Sequence, residues 1–427
     1  MTAQEQTISE ISTHFPTIQL KYAVRRKTEK VEGEVAGSNK ISLEMVESWM
    51  GKLSDPDLNP DLSTGLVKFS EGDVLFSKLR PYLAKAFCPT WEGVASPEFL
   101  VLEPNRIDAH YLLYVLLSEE TIDKIDASTY GAKMPRASWD FIGGLRIPCP
   151  DRETQKQISD FLDQQTSQID ALIEKYERLS SQLEDRRRAL IEQGVTTGVG
   201  NNCSMKETGI DWFGEIPQNW DITRLRWFAR VVNGTTPSKN VDRYWEGGSV
   251  AWLASTVLND EMVTEPSELI TGEALEECGL EIIPAGSVLI GLVGQGRTRG
   301  MSALLGIDAT INQNTAAVIP RENLDGKYLY YVFQHLYEPL RELGRGANQP
   351  ALNCNTVSSF QIPVPSQSEQ KAIVDWLDRV TSDIHTARNR IEDSISLLKE
   401  RRKALITGAV TGQIDLTERS GGDSYIE

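Results

Sequence analysis

Residues 147–199 and 362–414 are one segment written twice. They align without a gap at an offset of 215 positions, and 22 of the 53 aligned residues are identical. Repetition at so long a period marks duplicated domains rather than a short-repeat solenoid. Each copy opens Ile-Pro-x-Pro, which keeps the chain extended because a residue before proline avoids the α region. Each then runs without proline or glycine as far as Gly194 or Gly408. In the first copy Ile158, Leu162, Gln165, Ile169, Leu172, Tyr176, Leu179, Leu183, Arg186 and Leu190 alternate steps of four and three, the spacing of a coiled-coil seam. The same register in the second gives Ile373, Leu377, Val380, Ile384, Ala387, Ile391, Ser394, Leu398, Arg401 and Leu405. Such a helix from Ile158 to Gln193 is roughly 50 Å long. Ala387 and Ser394 fill the second seam poorly, so the two helices are expected to bury their seams on each other, antiparallel within the chain.

At 427 residues the chain is long enough for two or three domains. The repeat divides it into a first unit (1–146), a helix with its linker (147–204), a second unit (205–361), a second helix (362–416) and a Ser/Gly/Asp-rich tail (417–427) expected to be disordered. Shared landmarks outside the helices support two related units. Residues 15–22 echo 220–227, and the turn and apolar strand around Asp73–Phe76 return around Gly286–Ile290. Gly131-Ala132-Lys133-Met134-Pro135 returns as Gly346-Ala347-Asn348-Gln349-Pro350. Between the landmarks the units differ widely, as a shared frame carrying different surfaces would.

The composition argues against several classes of function. No apolar run reaches the length of a membrane span, and the polar start of the chain lacks the regions of a signal peptide. Five scattered cysteines without a C-x-x-C pair fit a reducing cytoplasm rather than zinc or a disulfide framework. The four histidines share no metal-binding spacing, and neither a nucleophile elbow nor a phosphate loop is present. Residues 288–300 imitate a dinucleotide fingerprint, but their spacing is G-x-G-x-x-x-G, and the residues that follow are strand-like. The better reading is a glycine loop that presents Arg297 and Arg299.

A net charge of −17 counts against nucleic acid. Its distribution does not. Residues 11–28, 74–91 and 127–139 contain no acid, and neither do their counterparts 222–241, 282–307 and 343–368. The expectation is two surfaces kept clear of negative charge.

These features together resemble the specificity (S) subunit of type I restriction-modification systems over essentially the whole chain. The duplicated Ile-Pro-x-Pro…Gln-Lys…Leu-Asp lead into a long helix carries the resemblance. So do Trp212-Phe213-Gly214-Glu215-Ile216-Pro217…Trp220, Gly234-Thr235-Thr236-Pro237-Ser238…Tyr244-Trp245 and residues 75–85. The resemblance implies an α+β protein: two target-recognition domains joined by two long helices that form an intramolecular antiparallel coiled coil. It implies that each domain reads one half of an asymmetric, bipartite double-stranded DNA target. Two methyltransferase (M) subunits would dock on the helices, and restriction/translocase (R) subunits would join them. No chemistry is expected on this chain, and S-adenosylmethionine is expected on the M subunit. A coiled-coil scaffold that does not read DNA is the alternative.

Within that reading the candidate DNA contacts are Lys78, Arg80, Lys85, Lys133 and Arg136 in the first unit. In the second they are Thr235, Thr236, Lys239, Arg297, Arg299, Asn348 and Gln349. Arg and Lys suit guanine edges, whereas Asn and Gln suit adenine. Arg186, Arg187 and Arg188, with Arg401, Arg402 and Lys403, are candidates for docking partner subunits.

Overall fold

The computed structural model describes residues 13–31, 39–54, 64–200, 204–294, 296–343, 352–414 and 416. The tail from 417 onward lies outside them. The chain forms two compact units, and these cut across the linear plan. One unit comprises Met1–Glu177 and Ile391–Glu427; the other is Arg178–Arg390. Each unit thus holds one recognition domain, the first part of the long helix that follows it, and the last part of the other long helix.

The first unit is built on β1 (Thr17–Gln19), β2 (Val24–Lys27), β3 (Val74–Ser77), β4 (Ala86–Phe87), β5 (Phe99–Pro104) and β6 (Arg146–Pro148). β1 pairs antiparallel with β6, setting Ile18 opposite Ile147. The central sheet has the order β2-β5-β3-β4, with Val24 opposite Pro104 and Val74 opposite Leu102. The second unit repeats this with β7 (Asp221–Arg224), β8 (Ala229–Asn233), β9 (Val288–Gly291), β10 (Ser302–Leu305), β11 (Thr315–Pro320) and β12 (Gln361–Val364). β7 pairs with β12, Thr223 opposite Ile362. The order β8-β11-β9-β10 has Ala229 opposite Pro320 and Val288 opposite Val318, and a fifth short strand, Met262–Val263, runs parallel to β10 at the edge of this sheet. Thr223 stands where the sequence echo puts Ile18, so the frame is duplicated in register. The second sheets diverge: four short strands over residues 30–95 in one unit, three over residues 250–311 in the other.

Both long helices have 45 residues, Arg152–Thr196 and Gln367–Thr411. The second starts from a capping box in which Ser366 and Glu369 exchange hydrogen bonds. Gly194 does not end the first helix as the sequence led us to expect. At Gly194 the helices of the second unit lie close together: a Cβ there would stand 3.0 Å from the Leu377 side chain. The turn out of the first helix comes at Gly198, with φ +74°. Pairing is antiparallel in each unit. In the second, Glu184 meets Arg388 and Gly194 meets Leu377; in the first, Ile158 and Leu162 share a core with Ile406, Ala409 and Val410.

Half of the expected seam is displaced by one residue. Leu162, Ile169, Tyr176, Leu183 and Leu190 face inward, as do Leu377, Ile384, Ile391, Leu398 and Leu405. The alternating positions are Ser159, Thr166, Ile173, Ser180 and Arg187 in one helix and Val374, Thr381, Arg388, Ile395 and Arg402 in the other. Leu172 and Leu179 are consequently 45% and 42% exposed, while Ile173 is 3% exposed. Ile158, Ile373 and Val380 are buried or half-buried beside the true seam. Small and polar side chains hold several positions that large apolar ones hold in a simple coil. They do so because the recognition domains, and not only the partner helix, pack there.

One polar joint fastens each domain to its helix. The amide of Gln155, 1% exposed, donates to the Pro150 carbonyl at 2.7 Å and accepts the Asp108 backbone N–H at 2.7 Å. Asp108 in turn caps the helix Ala109–Leu117 through the Tyr111 N–H. Gln370, fully buried, does the same between Pro365 and Asp325, which caps Gly326–His335. From those capped helices Tyr114 donates to Asp163 at 2.6 Å and Tyr331 to Asp378 at 2.7 Å. Burial raises both phenols above the ordinary range.

The two joints differ in their cation. Lys327 lies 2.7 Å from Asp378, whereas His110 lies 3.7 Å from Asp163. The Asp163 carboxylate raises the pKa of the His110 imidazole, and His110 holds Asp163 below its usual value. A histidine pKa raised on folding stabilises fully below the unfolded value of about 6.5, and the gain is lost as pH rises through the folded value. Both side chains are half exposed, so the loss from about pH 6 to about pH 8 is expected to stay under about 1 kcal/mol. His110→Lys should abolish it, read as the difference in urea midpoint between variant and wild type at the two pH values. The seam register has its own test by urea denaturation. Ile173→Ala should cost about 3 kcal/mol and Leu172→Ala less than about 0.5 kcal/mol.

Candidate nucleic-acid interface

The same hairpin occupies the same place in both units. In the first it joins β3 to β4 and carries Lys78, Arg80 and Lys85; in the second it joins β9 to β10 and carries Arg297 and Arg299. In the first unit a second loop closes over it. Tyr130 and Arg136 exchange backbone hydrogen bonds, the Arg80 N–H donates to the Pro135 carbonyl at 2.8 Å, and the Ala137 N–H to Lys78 at 2.9 Å. Lys133, at the tip of this loop, therefore joins Arg80 on one exposed surface with Tyr82, Tyr130 and Met134. In the second unit the Leu352 N–H donates to the Leu292 carbonyl at 2.9 Å, the counterpart of Ala137 on Lys78. Asn348 and Gln349 lie outside the described residues.

The candidates separate by what holds each side chain. Arg80 and Lys133 are exposed and have no hydrogen-bond or ion-pair partner among the described residues, and the same holds for the side chain of Arg297. Lys78 is half-buried, its ammonium on the Pro97 carbonyl at 2.7 Å; Lys85 reaches the Leu43 carbonyl at 2.6 Å. Burial lowers the pKa of both. Arg136 forks onto the Glu98 carboxylate. Lys239 pairs with Glu268 and lies 3.3 Å from the centre of the Trp245 ring. Thr236 donates to Gln313, and the Thr235 backbone is tied to Ile311 and Trp252. Arg299 departs furthest from expectation. It is 6% exposed and donates to the Arg341 carbonyl, so it braces the loop and is not presented by it. After this loop runs strand β10, not the helix that a dinucleotide site needs.

The acid-free windows are a property of the linear sequence only. Arg25 stands opposite Glu103 in the β2–β5 register and is paired with it, and Arg230 at the matching place is paired with Glu281. Neighbouring segments bring in the acids that the windows lack. The expected surfaces clear of negative charge therefore shrink to the hairpin tips.

The arginines near the ends of the coil also divide. Arg186, Arg188 and Arg401 are exposed. Arg402 and Arg187, 215 positions apart, turn into their own units and are not open to a docking partner. Arg402 binds Asp170 and the carbonyls of Trp49 and Met50. Arg187 binds Glu261 at 2.7 Å. Lys403 stands 3.9 Å from the centre of the Trp49 ring.

Residues 64–181 and 217–393 match the family described as the type I restriction modification DNA specificity domain. The chain belongs to that family. Specificity subunits similar to it include that of the MjaIX enzyme of Methanocaldococcus jannaschii, 32% identical over 45% of this chain and 44% of the relative. That of EcoR124I/EcoR124II of Escherichia coli is 30% identical over 55% of each. The chain thus spans about half the length of these curated relatives. A solved chain from a type I R-M system has the same fold, with a TM-score of 0.72 at 18% identity, covering 94% of this chain and 98% of that one. Specificity-family membership accounts for the duplicated frame. Among the described residues no helix is long and apolar enough to cross a membrane.

Arg80→Ala and Lys133→Ala should each weaken DNA binding similarly across sequences and lower the log–log salt slope by about 0.9 if each removes one phosphate contact. A change of base preference instead would place that residue in the groove. Fluorescence anisotropy over a salt series distinguishes the two.

Proposed function

We propose that this chain is the DNA-reading subunit of a type I restriction-modification enzyme, and that each unit reads one half of a split, asymmetric target. One observation carries the reading: a frame repeated in register ends in hairpin tips whose chemistry differs. Arg80 with Lys133 stands at one tip and Arg297 within a glycine loop at the other. Identical frames call for the same kind of partner at both, and different tips call for different bases. Phosphate contacts position the chain while base contacts specify, so the unpaired cations at the tips are the residues free to do either.

On this reading the chain performs no catalysis itself. Two M subunits dock on the coil, with Arg186, Arg188 and Arg401 as exposed cations there, and they bind S-adenosylmethionine and transfer the methyl group to adenine. R subunits add translocation and cleavage, and the complex works in the cytoplasm. The test is a genome-wide map of methylated adenine in a host carrying this gene and its M partner, against a deletion of this gene alone. A split, asymmetric motif that vanishes in the deletion is expected. Exchanging residues 1–146 or 205–361 for those of a relative should change one half-motif at a time. A methylome unchanged by the deletion, with the M subunit active, would leave the chain as a scaffold.

A further inference from the structure

We propose that Arg402 and Arg187 are positioning residues for DNA reading, each fixing the recognition hairpin of its own unit on the coil. The inference rests on the DNA-reading function proposed above and deepens it.

In the first unit three links connect coil to hairpin. The Arg402 guanidinium, with a side chain 4% exposed, binds Asp170 on the first helix at 2.9 Å. It also donates to the Trp49 carbonyl at 2.6 Å and the Met50 carbonyl at 2.9 Å. The Trp49 N–H in turn donates to the Ala84 carbonyl at 3.1 Å, and Ala84 ends the turn of the hairpin that carries Arg80. Backbone conformation singles out the same path. Among the described residues three non-glycine residues have positive φ: Trp49 at 68°, Arg80 at 49° and Ala84 at 45°. L-residues avoid this region, and such conformations persist only where the surroundings impose them. All three lie on the line from Arg402 to the hairpin tip. A cleft of about 460 Å³ opens beside the Trp49 turn, lined by Asp170, Glu174, Lys399 and Arg402 among others. On the side of the cleft the arginine's hydrogen bonds hold the turn, while Trp49 packs on the core and beneath Lys403.

The second unit makes the connection with other chemistry. Arg187, with a side chain 12% exposed, binds the Glu261 carboxylate, and the Glu261 carbonyl accepts the Leu304 N–H at 2.9 Å. Leu304 lies in β10, the strand that leaves the glycine hairpin. A cleft of about 210 Å³ opens beside this contact too. Arginines at equivalent repeat positions thus reach equivalent hairpins through unrelated residues, a pattern that general packing of the coil does not require. A planar guanidinium can bridge several acceptors at once, as Arg402 does; an ammonium holds them less rigidly.

The test is reciprocal. The full chain carrying Arg402→Lys or Arg187→Lys is assembled with its M partner. Binding is measured to the target and to duplexes in which one half-site is replaced. Arg402→Lys should reduce discrimination at the half-site of the first unit by about tenfold, the scale of one base-pair mismatch, and leave the other half-site unchanged. Arg187→Lys should do the reverse. Loss at both half-sites alike, or at neither, in a folded variant overturns the proposal. Asp170→Asn and Glu261→Gln take the same two roles if a lysine variant fails to fold, with the same outcomes decisive. A wild-type complex that discriminates at neither half-site would refute the DNA-reading function itself, a failure distinct from that of the arginines.

Discussion

The fold depends on a buried glutamine. Gln155 and Gln370 each satisfy the carbonyl at the mouth of a long helix and the N–H of the residue that caps the shorter helix packed on it. A side chain of this length can do both only if the two helices meet in one geometry. An apolar replacement would leave a buried donor and acceptor without partners, a cost of about 1–3 kcal/mol each. Hydrophobic contact alone would let a domain rock on its helix; the amide admits one seating. That seating occurs twice, with Tyr114, Asp163 and Thr166 matched by Tyr331, Asp378 and Thr381.

On the proposed reading, this rigidity gives the duplicated frame its use. A hairpin on a loosely docked domain could contact DNA but could not hold a register against the base edges. Here the hairpins grow from sheets whose strand pairing is the same residue for residue in both units. Divergence lies in what is added to the four shared strands: the extra edge strand Met262–Val263, the second sheets, the loops and the tips. The strained backbone at Arg80 and Ala84 belongs to the same logic, since a conformation that costs energy is held where the surroundings over-determine it.

The sequence made the architecture legible because the repeat is long and ungapped, and both its helix period and its Ile-Pro entry recur at the same offset. Finer features were hidden for identifiable reasons. Leu172 and Leu179 look like seam residues and face solvent, whereas Thr166 and Thr381 look like surface and are buried, each donating to its own helix at the i−4 carbonyl. Hydrophobicity alone cannot place a register when a third element packs on the coil. Gln155 and Asp163 stood within the repeated motif, and their identity in both copies was the one available signal for the joint. Arg299 is the clearest failure: a cation in an acid-free glycine loop invites a surface reading, and no linear feature announces the Arg341 carbonyl that it faces.

Charge sets a limit on what the chain does alone. The net charge is −17, and many of the cations in the acid-free windows are committed: Arg25, Arg136, Arg230 and Lys239 to carboxylates, Lys78 and Lys85 to carbonyls. Among the described residues the exposed, unpaired cations at the hairpin tips are Arg80, Lys133 and Arg297. A specific complex draws much of its affinity from neutralising several phosphates, each releasing a counterion. Those three on an acidic body supply little of that. If the chain reads DNA as proposed, it contributes discrimination, and the greater part of the phosphate neutralisation has to come from the subunits docked on its coil. On that reading, such a division would keep an unassembled specificity subunit from occupying its own target.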